Sequence, residues 1–398
     1  MENIRMKIII IGQSLIGGGA ERRACTLACL MKERGHQVKV ITFYPYDHFA
    51  RLLQNIDVEL ILLSSGKLRR ISQLRNILKK ESPHAVLAFG TSCSLTAKLA
   101  SLPSRTWGLV VTETGTDLPR ENIKAHWDRK SHLFADLIIT NSHTNRLIIT
   151  HFYPHVRKCI TTIYNPVDLD LFCPRKEFKN LSLLKVVIAS RIDSNKNAML
   201  LIEAVALLHD RGQLSGMEFD WYGYELKGST YLRDCMEVIV EKRLQDVITF
   251  HKPVHDIEQI YCKADAVLLP SRREGLPNTV CEALACGLPV MLSSVCDAGN
   301  LVRDRYNGFL FDPNSPASLA KAIQEFKKLS VIERGMMGRR SREIAEKWLA
   351  SDIIVDKYLE VIKAVSERSC HTTNHWPPEV PQTAIEFLKS VTHNILEA

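Results

Sequence analysis

Three short stretches of this chain bring together residue types suited to a charged, hydroxylated ligand. The sharpest is Glu274-Gly275-Leu276-Pro277-Asn278-Thr279, which leads into Val280-Cys281-Glu282-Ala283-Leu284-Ala285-Cys286-Gly287. Pro277 and Asn278 suit a helix start, and Gly287 suits its C-terminal cap. Glu274 then falls in the loop before the helix and Glu282 about one turn inside it. Amides of a first helical turn favour an anion such as phosphate. The two carboxylates can accept hydrogen bonds from hydroxyl groups, one set on a sugar and one on a ribose. The second stretch, Ser190-Arg191-Ile192-Asp193-Ser194-Asn195-Lys196, lies between an apolar run and a helical period at 199–208. Two cations at a strand end, Arg191 and Lys196, can hold a diphosphate and stabilise the charge that grows on it as a bond to it breaks. The third, Gly17-Gly18-Gly19-Ala20-Glu21, would let the backbone approach a ligand closely ahead of a helix. Taken singly, each has a plainer alternative: a capped helix with incidental acids, surface charges in a loop, or a tight turn.

Such loops need a scaffold, and the apolar pattern supplies one. Short apolar runs at 7–11, 38–43, 58–63, 85–89, 108–112, 137–140 and 160–163 alternate with amphipathic stretches such as 21–34 and 68–80. The pattern breaks at Asn165-Pro166-Val167-Asp168 and the polar stretch 173–181, then restarts at 185–190, 219–222, 247–250, 266–269 and 289–292. Runs that are apolar throughout, rather than alternating, indicate parallel strands covered on both faces. The expected fold is therefore α/β, with two doubly wound Rossmann-like domains, 1–172 and 180–350, facing each other across a cleft where a ligand binds at the strand ends. A helix at about 352–365 is expected to cross back to the first domain, leaving 366–398 as a tail.

The 398 residues suffice for two cores, and 45% hydrophobic with 24% charged residues is ordinary globular composition. No apolar stretch approaches the roughly 20 residues needed to span a bilayer, and the N-terminus lacks the pattern of a secretory signal. That places the protein in the cytoplasm. The eleven cysteines are scattered, odd in number and without a C-x-x-C pair, which reads as reduced thiols. Charge is uneven: residues 1–180 hold 26 Lys and Arg against 15 Asp and Glu, a surplus of eleven in a chain whose net charge is +8. The densest basic stretch runs from Lys67-Leu68-Arg69-Arg70 through Arg75 to Lys79-Lys80. It reads either as a solvated helix face or as an anionic membrane contact. Nucleic acid is disfavoured, since no aromatic stacking platform accompanies it.

The segment Glu274–Pro289, with Glu274 and Glu282 separated by seven residues, resembles the signature of family 4 of the retaining glycosyltransferases, of GT-B fold. The Arg191/Lys196 segment, the 17–21 loop, Asn165-Pro166-Val167-Asp168 and Asn307-Gly308-Phe309-Leu310-Phe311 fall in the order that family shows, over about residues 6–365. The resemblance implies that Arg191 and Lys196 bind the diphosphate of a nucleotide sugar. It places amides from Leu276 to Thr279 near the distal phosphate, Glu274 on the sugar hydroxyls, Glu282 on the ribose, and Gly17 and Gly18 against the phosphates. It implies no cofactor and no metal, the cations and helix dipole taking the metal's place.

Three places depart from the family pattern. Where many members carry a His after the strand at 108–112, this chain has Thr112-Glu113-Thr114-Gly115-Thr116-Asp117, which makes Glu113 the candidate there. Gly223-Tyr224-Glu225 and His251-Lys252-Pro253 each lack a usual glycine. Two distractors are set aside: Asp168-Leu169-Asp170, a D-x-D at the linker, and His151 with His155, which flank a proline-broken segment. The expected activity is transfer of a hexose or N-acetylhexosamine, UDP-linked, to a lipid-linked or saccharide acceptor in cell-surface glycan synthesis, on the inner face of the cytoplasmic membrane. A nucleotide-sugar epimerase or hydrolase of the same fold, or a non-catalytic glycan-binding module, stays open.

Overall fold

A computed structural model describes residues 5–15, 19–45, 48–115, 117–119, 121–174, 183–368 and 375–396. The chain divides into two compact units, Met1–Pro166 with Ser351–Glu379, and Val167–Ala350 with Val380–Ala398.

Unit 1 alternates strand and helix: β1 Lys7–Gly12, α1 Gly19–Glu33, β2 Gln37–Thr42, α2 His48–Asn55, β3 Glu59–Leu62, α3 Lys67–Glu81, β4 Ala85–Phe89, α4 Thr91–Ala100, β5 Gly108–Glu113, α5 Ile123–Lys130, β6 Leu137–Thr140, α6 His143–Phe152 and β7 Ile160–Thr162. Its sheet runs β3-β2-β1-β4-β5-β6-β7, every pair parallel. Each residue of β4, β5 and β6 is buried, which is why these runs are apolar without alternation.

Unit 2 repeats the plan with β8 Leu184–Ala189, α7 Ala198–Asp210, β9 Met217–Tyr222, α8 Tyr231–Glu241, β10 Ile248–His251, α9 Ile257–Tyr261, β11 Ala266–Leu269, α10 Asn278–Ala285, β12 Val290–Ser293, α11 Ala298–Leu301, β13 Gly308–Phe311, α12 Pro316–Lys328 and α13 Val331–Trp348. Its parallel sheet runs β10-β9-β8-β11-β12-β13. β13 is absent from the strand pattern expected above. Its four residues open with Gly308, which a period of alternation or apolarity does not flag, although a Cβ there would lie 1.9 Å from the Val290 carbonyl oxygen.

Two helices complete the chain, α14 Ser351–Ser366 and α15 Gln382–Leu396. α14 belongs to unit 1 and packs on β5 and α1. The approach is close: a Cβ on Gly108 would sit 2.5 Å from a methyl of Val365. The described residues after Ser366, the stretch expected as a tail, are divided between the units. In unit 1 the Trp376 amide donates to the Thr162 carbonyl at 2.7 Å, and the Tyr164 amide donates to the Trp376 carbonyl at 3.2 Å, so the segment extends the ladder beyond β7. In unit 2, α15 packs on α11, with Ala384 buried and the Thr383 hydroxyl donating to the Cys296 carbonyl at 2.6 Å. Of the expected polar break at 173–181, residues from 175 on lie outside the described residues. No described helix is long and apolar enough to cross a membrane.

Candidate functional site

In a doubly wound sheet the loops part at the carboxyl edge where strand order reverses, leaving a crevice. In unit 2 the reversal falls between β8 and β11, and their two following loops carry the residues singled out from sequence. Lys196 Nζ lies 2.5 Å from Glu274 Oε1, both side chains largely covered. Arg191, with its side chain 43% exposed, pairs with Asp193 at 3.3 Å. α10 begins at Asn278, as expected, with Pro277 at the cap position and no side chain capping the end. Leu276 and Pro277 are buried, while Gly275, Asn278 and Thr279 are half-buried. Glu282 is buried one turn into α10, and Gly287 takes φ +66° after the last turn, the left-handed value that glycine accepts without strain. Arg191, Lys196, Glu274, Gly275, Leu276, Pro277, Asn278, Thr279 and Glu282 thus share one unit.

Contacts that the sequence reading did not foresee lock these loops together. The Arg272 amide donates to the Asn195 carbonyl at 2.8 Å, and Asn195 Nδ2 donates to the Arg273 carbonyl at 2.9 Å. The Thr279 hydroxyl reaches the last carbonyl of β8, on Ala189, at 2.6 Å. Asn197, at φ +62°, donates from Nδ2 to the carbonyls of Pro270 and Pro313 at 3.2 and 3.0 Å, tying together the loops after β8, β11 and β13. The only signal in the sequence is an Asn just ahead of an apolar helix, a common enough cap. Gly223 is obligatory for a different reason: a Cβ there would fall 1.9 Å from the Ser190 carbonyl oxygen, which the indole of Trp221 also approaches at 3.1 Å.

Glu113 lies in the other unit, as the last residue of β5. Its Oε1 is 3.0 Å from His132 Nε2 and its Oε2 accepts from Arg129 Nη2 at 3.3 Å. Arg129 also donates to the carbonyls of Asp117 and Gly115. Behind His132, the Lys98 ammonium is 3.0 Å from Nδ1 and 2.6 Å from Asp128 Oδ1. An ammonium has only donors, so Nδ1 accepts and Nε2 carries the proton given to Glu113, a tautomer inferred from the network. Burial would raise the Glu113 carboxyl, but the Arg129 charge and the His132 hydrogen bond overcome it and hold it down at about 2. Burial pushes Asp128 up and Lys98 down. Glu113, Asp128 and His132 offer ligand atoms within 4.8 Å of one another, yet Lys98 and Arg129 already sit on those atoms as cations. Gly17 and Gly18 lie outside the described residues. Nearby in sequence, Arg23 of α1 is buried and donates to Asn165 Oδ1 at 3.0 Å, anchoring the Asn165-Pro166 segment.

Two parallel doubly wound sheets, one with a cationic and carboxylate loop pair at its switch point, define the GT-B class of α/β proteins. The profile described as Glycosyltransferase Family 4 matches residues 17–171, and that described as Glycosyl transferases group 1 matches 184–328. The chain belongs to this family and is a glycosyltransferase. It is 25% identical over 330 residues, 80% of this chain and 88% of the relative, to an α-1,4-N-acetyl-D-galactosaminyltransferase of Campylobacter jejuni whose name specifies an undecaprenol diphosphate-linked glycan. It is 26% identical over 208 residues, half of each chain, to the WcaL protein of Escherichia coli, described as a colanic acid biosynthesis glycosyltransferase. In fold it resembles a glycosyltransferase of Rickettsia africae (TM-score 0.81, 19% identity, 92% of this chain and 100% of that one). It also resembles HepE of Anabaena, crystallised with UDP and glucose (TM-score 0.78, 21% identity, 90% and 100%).

Proposed function

We propose that the chain moves a hexose or N-acetylhexosamine, with retention of configuration, from a UDP-linked donor to a lipid-linked or saccharide acceptor in cell-surface glycan assembly. The Lys196–Glu274 pair at the β8/β11 switch point carries this reading. On donor binding Lys196 and Arg191 take the diphosphate, and Glu274 is left to accept from sugar hydroxyls. Glu282 meets the ribose, and the amides from Leu276 to Thr279 face the distal phosphate. The bond from the anomeric carbon to the phosphate oxygen breaks while the acceptor oxygen bonds on the same face, and its proton passes to the leaving phosphate. Glu113, both of whose oxygens are already engaged, contacts the acceptor through its remaining lone pairs. Two cations and a helix dipole supply the charge a metal would, so EDTA is expected to leave the rate unchanged. The UDP complex of HepE and the lipid-linked glycan in the name of the Campylobacter relative support the choice of donor and acceptor.

The test is nucleotide release from UDP-, GDP- and ADP-sugars, with and without a membrane lipid extract. One donor should respond, more strongly with extract, and Glu274→Ala should abolish release. Full conversion without any acceptor would instead indicate an epimerase or hydrolase. Absence of release and of UDP binding would overturn the proposal in favour of a binding module.

A further inference from the structure

Helix α5 is inside out. Asp128 and Arg129 are 1% exposed, whereas Ile123 and Trp127 on the outer side are 69% and 59% exposed. The 3₁₀ turn Ser131–Phe134 that follows continues the pattern, with His132 fully buried and Leu133 and Phe134 in solvent. The inversion is pinned from within, because Asp128, Arg129 and His132 are the members of the Glu113 network that α5 and this turn contribute. A helix free to rotate would turn its charges outward; here the ion pairs Lys98–Asp128 and Arg129–Glu113 and the two hydrogen bonds of His132 forbid that.

The apolar side is not isolated. α5 packs beside α4, and α4 beside α3, so the three form one layer on the unit 1 sheet. Leu99 of α4 is 48% exposed, and Leu68 of α3, at 84%, stands between exposed Lys67 and Arg69. On α5 itself Lys124 and Lys130 are exposed, and the Lys130 ammonium lies 4.8 Å over the Trp127 ring. The acids beside it are engaged: Asp117 accepts from Asn122 Nδ2 at 3.1 Å, Glu121 from the Leu118 amide, and Asp136 pairs with Arg105 at 2.9 Å. Apolar anchors including a Trp, rimmed by lysines with long flexible stems, fit the boundary between lipid headgroups and acyl chains rather than water. The surplus of cations in residues 1–180 supplies the complementary charge to an acidic leaflet.

We propose that the outer face of α3, α4 and α5 rests on an anionic lipid surface. Ile123, Trp127, Leu133 and Phe134 enter the interface, while Lys124 and Lys130 meet lipid phosphates. The inference stands apart from the transferase reading, because partition onto lipid is measured with no sugar nucleotide present. The full chain is sedimented with vesicles of phosphatidylcholine alone or with phosphatidylglycerol added. Binding is expected to the anionic vesicles and to fall with salt. Trp127→Glu with Leu133→Glu should reduce partition roughly tenfold or more, and Lys124→Glu with Lys130→Glu should do the same at low salt. All four positions are exposed, so an unchanged melting temperature excludes misfolding. Quenching of tryptophan fluorescence by brominated lipid should drop in Trp127→Phe. The proposal is overturned if the wild type ignores anionic vesicles or if the apolar double variant partitions as well as wild type. It is equally overturned if light scattering finds a dimer that Trp127→Glu disperses, since a second copy would then cover the face.

Discussion

The charged groups of the two units are built on opposite plans. At the unit 2 switch point Lys196 and Glu274 hold each other with side chains 15% and 12% exposed, and Arg191 reaches further into water. In unit 1, Glu113, Arg129, His132, Lys98 and Asp128 all have side chains 7% exposed or less, each bonded to at least one other. A pair at the edge of water can exchange its partner for a ligand's phosphate or hydroxyl, because solvent and the incoming group both compensate the separated charges. A closed buried network cannot do so cheaply: it keeps its internal pairs, and Glu113 offers a ligand only its remaining lone pairs. One set of charges is arranged to be interrupted and the other to persist.

The sharpest way to break the contrast is to open the buried network. Arg129→Met leaves the Glu113 carboxylate buried with one cation fewer and should cost about 3–5 kcal/mol of stability, read from the shift of a urea midpoint. A loss below about 1 kcal/mol would mean that the network is not cohesive. At the open pair the effect should appear in turnover instead. Glu274→Gln and Lys196→Gln should each lower kcat/KM about 10²–10³-fold, with a smaller fall in melting temperature than Arg129→Met. If the two plans are real, the ranking by stability and the ranking by activity will be opposite.

Acid should sharpen the comparison further. The Glu113 carboxyl titrates at about 2 in the fold, below its unfolded value of roughly 4.3. Its contribution is therefore fully present above the unfolded value and is lost as pH falls through the folded one, a change of about 3 kcal/mol. Asp128 is shifted upward by burial, so its protonation favours the fold on acidification and offsets part of that loss. Stability measured from pH 5 to pH 2 should fall in the wild type and fall less in Glu113→Gln; parallel curves would argue against the assignment. The smallest expected effect is at Thr279→Val, which removes one hydrogen bond to the Ala189 carbonyl. It should cost about 1 kcal/mol while raising KM for the donor more than it lowers kcat.

Legibility differed between the sites for a physical reason. Arg191, Lys196, Glu274 and Glu282 sit in loops or a first helical turn next to strand ends, where Pro277 and Gly287 mark the boundaries locally. Glu113 was legible only by comparison with a family pattern. Its partners come from α4, α5 and the turn after it, and nothing local marks Lys98 as buried within the Thr91–Ala100 helix. The outward apolar face of α5 was missed on the same ground: an amphipathic pattern gives two faces but not which one meets the core.

The sequence by itself determined the alternation of strands and helices, the parallel sheets and the loop residues of unit 2, because apolar runs, glycines and prolines act over a few residues. Tertiary structure alone decided that β13 joins the second sheet and that residues 375–396 split between units. It also decided that Asn195, Asn197 and Thr279 tie the loops together and that α5 turns its charges inward. Each of those depends on partners dozens of residues away, whose cost or gain exists only once burial and backbone approach are fixed in three dimensions.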